Sequence, residues 1–488
     1  MKLAFMCDMH LPLRENCVQY EYFKEATEDI KNSDTELTIV VGDIAAYGEQ
    51  NAFEFFKNKM NKVPYIAVLG NSDVRDGDIG SDSFGGNISV GNRNILCINT
   101  PYAKITEEDK EKITSLSDGD ILVMHHSIPA LAQECRCFLT EVLEKKALTV
   151  IHAHSHNFQD YMLGKSRVIC IRALDGDKSI GAPPCITYFE ITENTLSFEE
   201  KLFTVDNSKI SDFRDYLGIS CFDVTKDIDF AIENGIQNLE LRKYNENDGL
   251  FDFTVNKIQE WRKACGKSLS VHMPNIRFSD GKITANGWEY AKKLALSCNA
   301  SLLTIHVPRI SVSDMENNFN LVAKFYAEKI SEFPENVKVG IENLHMEKNE
   351  LPDKSRDFGY TPPEVMSFVD ALNKLLGKKR VGVTLDIGHA RNNPPYNSIY
   401  PLGMWYSLLG DKTVACHMHQ VSRENGVLKN HTEIKSLFGP MISFSSFFKS
   451  LSIGQINKCP VFLEIRDINE RHNSAKIFDN LRKDGFHV

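Results

Sequence analysis

TPPEVMSFVDALNKLLGKKRVGVTLDIGHA, running from Thr361 to Ala390, reads as one helix followed by one strand. Between Pro363 and Leu376 the apolar residues recur at helical spacing, and the run from Arg380 to Leu385 has the length and β-branched content of a buried strand. Asp386 closes that strand and His389 follows three residues on. A carboxylate and an imidazole at the end of a buried strand mark that end as a place for chemistry.

The same alternation fills the second half of the chain. Strand-like runs lie at Tyr216 to Cys221, Gln237 to Leu241, Ser268 to Val271, Ser301 to Ile305, Val337 to Ile341, Arg380 to Leu385, Thr413 to Met418 and Pro460 to Leu463. Helix-length amphipathic segments separate them at Asp227 to Asn234, Asn256 to Cys265, Asn286 to Cys298, Asn317 to Phe333 and Pro363 to Leu376. Eight strands with intervening helices predict a (β/α)₈ barrel. Just before it, the short polar stretch SKISDFRD separates the barrel from an earlier pattern.

That earlier pattern begins with strand-like runs at Lys2 to Cys7, Leu37 to Val41, Pro64 to Leu69, Ile95 to Asn99, Ile121 to Met124 and Leu148 to Ile151, spaced by helix-length segments. The intervals then shorten through Arg167 to Ile171, Ile186 to Ile191 and Leu196 to Phe203, which reads as α/β with an antiparallel tail. The chain is therefore expected to divide into a domain at 1–205, a linker at 206–214 and a barrel at 215–488. Each part carries its own strands and ligands, so the halves are expected to fold independently. No internal repeat or low-complexity tract is visible.

Composition agrees with two large globular domains. In 488 residues, hydrophobic types make up 42% and charged types 25%, which excludes disordered, collagen-like and coiled-coil chains. The longest apolar runs fall far short of the ~18–20 residues that span a bilayer. The N-terminal run meets Asp8 too soon for a signal peptide's h-region of about 7–15 residues. Neither membrane insertion nor export is expected. Twelve cysteines without a CxxC pair, several in apolar runs, point to a reduced cytoplasmic protein of undetermined oligomeric state. The net charge of −10 belongs to residues 1–205, which carry about −11, so no basic coat for nucleic acid is present.

Strand ends of the first domain carry Asp8, His10, Asp43, Asn71, His125, His154 and His156. One Asp after a strand is usually a turn former or a cap, but an ordered set of hard and borderline ligands suits a pair of divalent ions such as Mn²⁺, Fe²⁺ or Zn²⁺. The strings DMH (Asp8 to His10), GD (Gly42, Asp43), GNSD (Gly70 to Asp73), HH (His125, His126) and HAHSH (His152 to His156) resemble the calcineurin-like metallophosphoesterase family over about 200 residues. The resemblance implies an α/β/β/α sandwich. It also implies one metal on Asp8, His10, Asp43 and His156, a second on Asn71, His125 and His154, and Asp43 bridging the two. Asp43, Asn71 and His125 are then the residues closest to the chemistry, an in-line attack of activated water on phosphorus.

Two departures from the family pattern bear on substrate. Ser72 stands where many members have a histidine beside the leaving group, and Ala153 replaces a glycine. The first favours a phosphodiester or a good leaving group over an alkyl monoester. His126 and His152 lie outside the expected ligand set.

Barrel active sites form at the C-terminal strand ends. Those ends carry His272, His306, Glu342, Asp386, His389, His419 and Glu464, with His431 in the loop after strand seven. SVHMP, TIHVP, IENLH, LDIGH, CHMHQ, NHTEI and LEIR resemble the xylose-isomerase-like barrel superfamily, which contains sugar isomerases, epimerases and the endonuclease IV type of AP endonuclease. The resemblance leaves two chemistries open. An isomerase or epimerase uses one ion on Glu342, Asp386, His419 and Glu464, with Glu342 and Glu464 shuttling a proton. A nuclease-like site uses three zinc ions and recruits His272, His306, His389 and His431 as well.

In the nuclease pattern an aspartate stands where this chain has Lys429, which leaves the third metal short of a ligand. His417 could compensate, although a strand-interior role fits it better. Arg423 and Arg466 are candidate phosphate contacts. The expected protein is a bifunctional metal-dependent hydrolase with two divalent ions in the first domain and one to three ions of Zn or Mn in the barrel. Its expected substrate is a phosphorylated small molecule, a nucleotide or a nucleic-acid end.

Overall fold

Short apolar runs become strands at β1 (Lys2–Met6), β2 (Leu37–Val41), β3 (Tyr65–Val68), β4 (Gly86–Val90), β5 (Arg93–Cys97), β6 (Ile121–Met124), β7 (Thr149–His152), β8 (Gln159–Leu163), β9 (Ser166–Cys170), β10 (Cys185–Ile191) and β11 (Leu196–Leu202). The computed structural model describes residues 1–75, 84–192, 195–242, 249–348, 350–424 and 427–484, so the last four residues of the expected barrel span lie outside the described residues. The strands form two sheets, ordered β11-β10-β1-β2-β3 and β4-β5-β6-β7-β9-β8.

Alternate residues of both sheets meet face to face. Leu3, Phe5, Ile39, Val41, Ile121, Val123, Ile151 and Ile169 share one buried cluster, the period-two signature of a sandwich. Helices cover the outer faces. Ile113, Leu139 and Leu143 pack on Leu122, Met124 and Val150 behind the second sheet, while Phe56 of helix Gln50–Met60 meets Tyr65 of β3 edge to face at 5.3 Å. This is the α/β/β/α sandwich that the family resemblance implies.

One expectation about the tail needs correcting. β9 is antiparallel to β8 but parallel to β7, so only β10 and β11 form the antiparallel tail. β8 is polar and mostly exposed, which hides it from hydrophobic patterning.

The unit built on this sandwich is discontinuous in sequence. It comprises Met1–Val205 together with Leu437–Lys449, and a second unit takes Asp206–Ser436 and the chain from Ser450. Within the first unit Gly181 N donates to Phe438 O (3.0 Å), Ser443 N to Asp177 O (3.2 Å) and Tyr22 Oη to Ser445 O (3.3 Å). Lys449 pairs with Glu25.

The second unit is a closed barrel of eight parallel strands: Leu217–Cys221, Asn238–Leu241, Ser268–His272, Leu302–His306, Lys338–Glu342, Val381–Asp386, Thr413–Met418 and Val461–Leu463. Helix Pro362–Leu376 shows why the opening stretch folds as it does. Thr361 and Glu364 form a capping box, Pro occupies the first turn, and Gly377 ends the helix at φ 68. The eighth strand closes on the first, with Leu217 opposite Val461.

Barrel interiors are usually filled by Val, Ile and Leu. Here a polar layer of Ser220, Glu240, Ser270, Thr304 and Thr384 is fully buried beneath the strand ends.

One buried ion pair stands apart from the strand ends. Arg471 donates twice to Asp227 at 2.6 Å and once at 3.0 Å, and both side chains are sealed from solvent. Asp227 also accepts from the backbone N–H groups of Phe222 and Asp223. Without Arg471 the buried Asp227 keeps only His472 Nε2, 3.0 Å from its Oδ1, and two backbone N–H groups, so Arg471→Met is expected to destabilise the barrel by about 3 kcal/mol. Chemical denaturation of the full chain, followed by tryptophan fluorescence, checks this; all three tryptophans lie in the second unit.

Candidate metal centres

Five of the seven ligands expected in the first unit have left-handed backbone: Asp8 (φ 48), His10 (φ 43), Asp43 (φ 50), His154 (φ 68) and His156 (φ 58). Such strain in non-glycine residues costs of order 1–3 kcal/mol each and clusters at functional sites. It bends the chain just past β1, β2 and β7 so that consecutive side chains turn to one point.

There the Asp43 carboxylate is central. Its Oδ2 lies 3.2 Å from His10 Nε2 and 3.5 Å from His125 Nε2. Asp8 Oδ1 approaches His156 Nε2 at 3.6 Å, and His154 Nδ1 approaches His125 Nε2 at 3.3 Å. The Asn71 amide sits beside His154, 3.0 Å from its Nδ1. Donor atoms fall into two groups, Asp8 with His10 and His156, and Asp8 with Asp43 and His125. Burial opposes ionisation of Asp8, yet His156 and His125 hold its carboxyl well below the usual carboxylate range.

Surrounding groups fix this set. His125 Nδ1 is 2.9 Å from Val41 O, which leaves Nε2 turned inward. Asp175, which the sequence reading overlooked, lies 3.3 Å from His10 Nδ1; the signal for it was LDGD just after β9. Asp73 accepts from Gly70 N and Ala45 N and, pushed up to about 7 by burial and by Asp43, braces the turn. Ser72 is buried and donates from Oγ to Asp43 Oδ2 (3.0 Å), so it supports the carboxylate. His126 contacts Thr100 Oγ1 (3.2 Å), and burial with the nearby His125 and His154 holds it down to about 3. His152 turns its Nδ1 to Ala153 O (3.0 Å).

At the barrel mouth the expected residues gather into three overlapping groups: His272, His306 and Glu342; Glu342, Asp386, His417 and Glu464; and Asp386, His389, His419 and His431. Glu342 Oε2 is 2.9 Å from His272 Nε2 and 3.1 Å from His306 Nε2. A repeated device orients the imidazoles. The Nδ1 atoms of His272, His389 and His431 face the carbonyls of Met273, Asn343 and Glu464 at 3.0–3.1 Å, so each Nε2 is left for a cation. Burial also pushes His431 down to about 3, which keeps it a neutral donor.

The grouping brings both histidines of this strand to the carboxylates. His417 joins Glu342, Asp386 and Glu464, because the register sets His417 opposite Asp386 and opposite Phe462. His419 lies one step nearer the mouth on the same strand face, 3.2 Å from Asp386 Oδ1. The third group therefore has four donors without any ligand from position 429. His431 itself sits on the strand Val427–Thr432 of a hairpin rather than in a loop.

Two further barrel residues were missed. Glu240 lies one position inside the second strand, and Arg242 follows that strand between Glu240 and Glu464. Burial opposes the charge on Glu240, but His417 and Arg242 hold its carboxyl down to about 2.

These residues suit divalent ions. Asp8 Oδ1 and Asp386 Oδ2 are buried with no hydrogen-bond partner among the described residues, and each points into a set of imidazoles and carboxylates. Gly388 leaves no spare room there, since an added Cβ would overlap the His419 ring. Gly388→Ala is expected to weaken zinc binding by the barrel about ten-fold or more, measured by chelator competition on the full chain.

Cavities flank the barrel groups. One of about 530 Å³ is lined by Phe222, Arg242, Asn275, His306 and Arg466, and one of about 720 Å³ by His345, Lys429, His431 and Arg466. Arg466 belongs to both.

Comparison with known proteins agrees with this architecture. Residues 1–165 match the calcineurin-like phosphoesterase family model, and residues 228–483 match the xylose isomerase-like TIM barrel model. A probable cyclic nucleotide phosphodiesterase of Xenorhabdus bovienii (strain SS-2004) is 36% identical over 85 residues, 15% of this chain and 34% of that protein, so the chain spans about a third of that relative's length. A xylose isomerase domain protein from Alicyclobacillus acidocaldarius is 14% identical, with TM-score 0.40, over 55% of this chain and 98% of that one. Vacuolar Protein Sorting 29 from Cryptosporidium parvum is 10% identical, with TM-score 0.24, over 41% and 97%. With its barrel matched over more than half its length, the chain belongs to the xylose isomerase-like TIM barrel family and carries a calcineurin-like phosphoesterase domain ahead of that barrel.

Proposed function

We propose that this protein is a bifunctional metal-dependent hydrolase of the reduced cytoplasm. Residues 1–205 with 437–449 cleave a phosphodiester or nucleotide, and the barrel acts on a second phosphate ester such as a nucleotide or a nucleic-acid end. Asp8, His10, Asp43 and His156 would hold one divalent ion of the first unit and Asn71, His125 and His154 the other. Bound there, such ions would activate water and neutralise charge that develops on the phosphate. The rest falls to the side chains. Asp43 keeps the two sets of imidazoles at a fixed spacing, and Ser72 and Asp73 keep Asp43 in place. Ser72 is buried on Asp43 and offers no acid to a departing alkoxide, which favours substrates with good leaving groups.

For the barrel, the observation that carries the reading is the sharing of carboxylates: Glu342 belongs to two donor groups and Asp386 to two. Shared carboxylates suit adjacent ions on a phosphate, whereas proton shuttling beside a carbonyl needs one ion and two free glutamates. Arg466, between the two cavities, would orient the anionic substrate. Elemental analysis of the full chain, paired with assays on nucleotides, abasic DNA and ketose phosphates, tests this. More than one ion in the barrel with phosphoesterase activity is expected. A single Mn²⁺ there with epimerase activity and no phosphoesterase activity would overturn it.

A further inference from the structure

The connection between β9 and β10 lies against the backbone of two expected metal ligands of the first unit. Asp175 N donates to Asp8 O (3.0 Å) and Ile180 N to His156 O (3.1 Å), while Leu174 N donates to Cys7 O (3.0 Å). Asp8 and His156 are two of the left-handed residues, at φ 48 and 58. Their carbonyls are therefore pinned by residues 174–180 where the chain is strained. The connection is also tied within itself. Lys178 N and Ser179 N return to Asp175 O, Asp177 N donates to Asp175 Oδ1 (2.9 Å), and Gln19 Nε2 donates to Asp177 Oδ2 (2.7 Å).

The late segment of the first unit clasps the same connection. Ser443 N donates to Asp177 O (3.2 Å), Ser446 N to Gly176 O (3.4 Å), and Gly181 N to Phe438 O (3.0 Å). Ser179 Oγ lies 3.1 Å from Ser443 Oγ, and Tyr22 Oη donates to Ser445 O (3.3 Å). Asp177, Ser179, Ser443, Ser445 and Ser446 are all buried. Gly176 permits this close approach, because a Cβ there would lie 2.6 Å from both Ser446 Oγ and the Tyr22 ring. Main-chain hydrogen bonds thus run from Asp8 and His156 to residues 174–181, and from these to residues 438–446.

We propose that residues 438–446 are a strap whose docking is coupled to metal binding by the first unit. With the strap seated, residues 174–181 hold Asp8 and His156 in their left-handed conformations before an ion arrives, and a bound ion in turn holds the strap. The inference rests on the metal reading of the first unit. Left-handed backbone is unfavourable for Asp and His, so without those bonds the two ligands relax, and binding must restore them, which weakens it. A segment held through turns and not by a sheet ladder belongs to the parts of a fold that open locally. Linkage makes the coupling reciprocal, and couplings of this kind are typically about 5–150-fold.

The test uses the full-length chain, stripped of metal and titrated with Mn²⁺ alone. Backbone amide exchange is followed by mass spectrometry and Mn²⁺ affinity by chelator competition; the uptake that Asp43→Ala lacks defines the first unit's share. Mn²⁺ is expected to slow exchange in peptides covering 438–446 about tenfold, and Asp43→Ala is expected to abolish that slowing. Gly176→Ala, which forces the strap off the connection, is expected to speed exchange across 438–446 and to weaken Mn²⁺ binding by the first unit about tenfold, with the barrel's share unchanged. Ser443→Ala, which removes one hydroxyl and keeps the main-chain donor, is expected to change both readouts in the same direction by less. Equal exchange at 438–446 with and without Mn²⁺, in a parent chain whose first unit binds the ion, would overturn the proposal. So would parent-like Mn²⁺ affinity in a Gly176→Ala protein whose 438–446 exchange has risen. If the parent's first unit takes up no Mn²⁺, the metal reading falls and the proposal with it, which distinguishes the two failures. Should Gly176→Ala not fold, the parent, Asp43→Ala and Ser443→Ala measurements still decide.

Discussion

The Asp43→Ala protein is expected to hydrolyse an activated aryl phosphodiester with Mn²⁺ at least ~10³-fold more slowly than the parent chain. The size follows from where the carboxylate sits. Its Oδ2 lies within 3.5 Å of both His10 and His125, so its loss leaves two imidazoles facing one another across a hole. Two ions ~3.5–4 Å apart repel strongly, and a shared anion is what holds them together. Steady-state kinetics with elemental analysis of the same sample provide the check: metal content should fall alongside turnover, and barrel zinc should stay. Full turnover by Asp43→Ala would end the assignment of this site.

A comparable loss is expected at the other centre. Glu342→Ala should strip more than one ion equivalent from the barrel, since Glu342 is common to two donor groups and contacts His272, His306 and His417 within 3.1 Å. Burial opposes its charge, but those histidines hold its carboxyl well below the usual range. Without it, His272 and His306 lose the carboxylate oxygen they share. Whatever phosphoesterase activity the barrel has should drop by at least about 10²-fold while hydrolysis by the first unit is untouched. Retention of all barrel zinc by Glu342→Ala would show that the carboxylate is structural. Together with Asp43→Ala, the variant assigns each activity to its own unit.

Much of this was legible from residues alone because strands and ligands are adjacent in sequence. The run VGVTLD announces both a buried strand and the carboxylate at its end. Other features depend on three-dimensional register and stayed hidden. CHMHQ offers two histidines on one strand face, and only the pairing of His417 with Asp386 sets His417 among Glu342, Asp386 and Glu464 and leaves His419 to Asp386, His389 and His431. Asp175 lies against His10 and Glu240 against His417, outside the donor groups, so no strand-end rule singles them out. β8 escaped notice because an exposed polar strand carries no hydrophobic period.

The discontinuity of the first unit has a consequence for biosynthesis. Residues 437–449 emerge from the ribosome more than 200 residues after Val205, and at ~5–20 residues per second that is a delay of about 10–50 s. Throughout that interval the sandwich waits with the backbone carbonyls of Gly176 and Asp177, and the Ser179 hydroxyl, lacking their eventual partners at Ser446 and Ser443. A chain whose translation stops inside the barrel-coding stretch never receives the segment. The sandwich unit is therefore completed only after most of the barrel has been synthesised, a dependence that a simple head-to-tail fusion would lack.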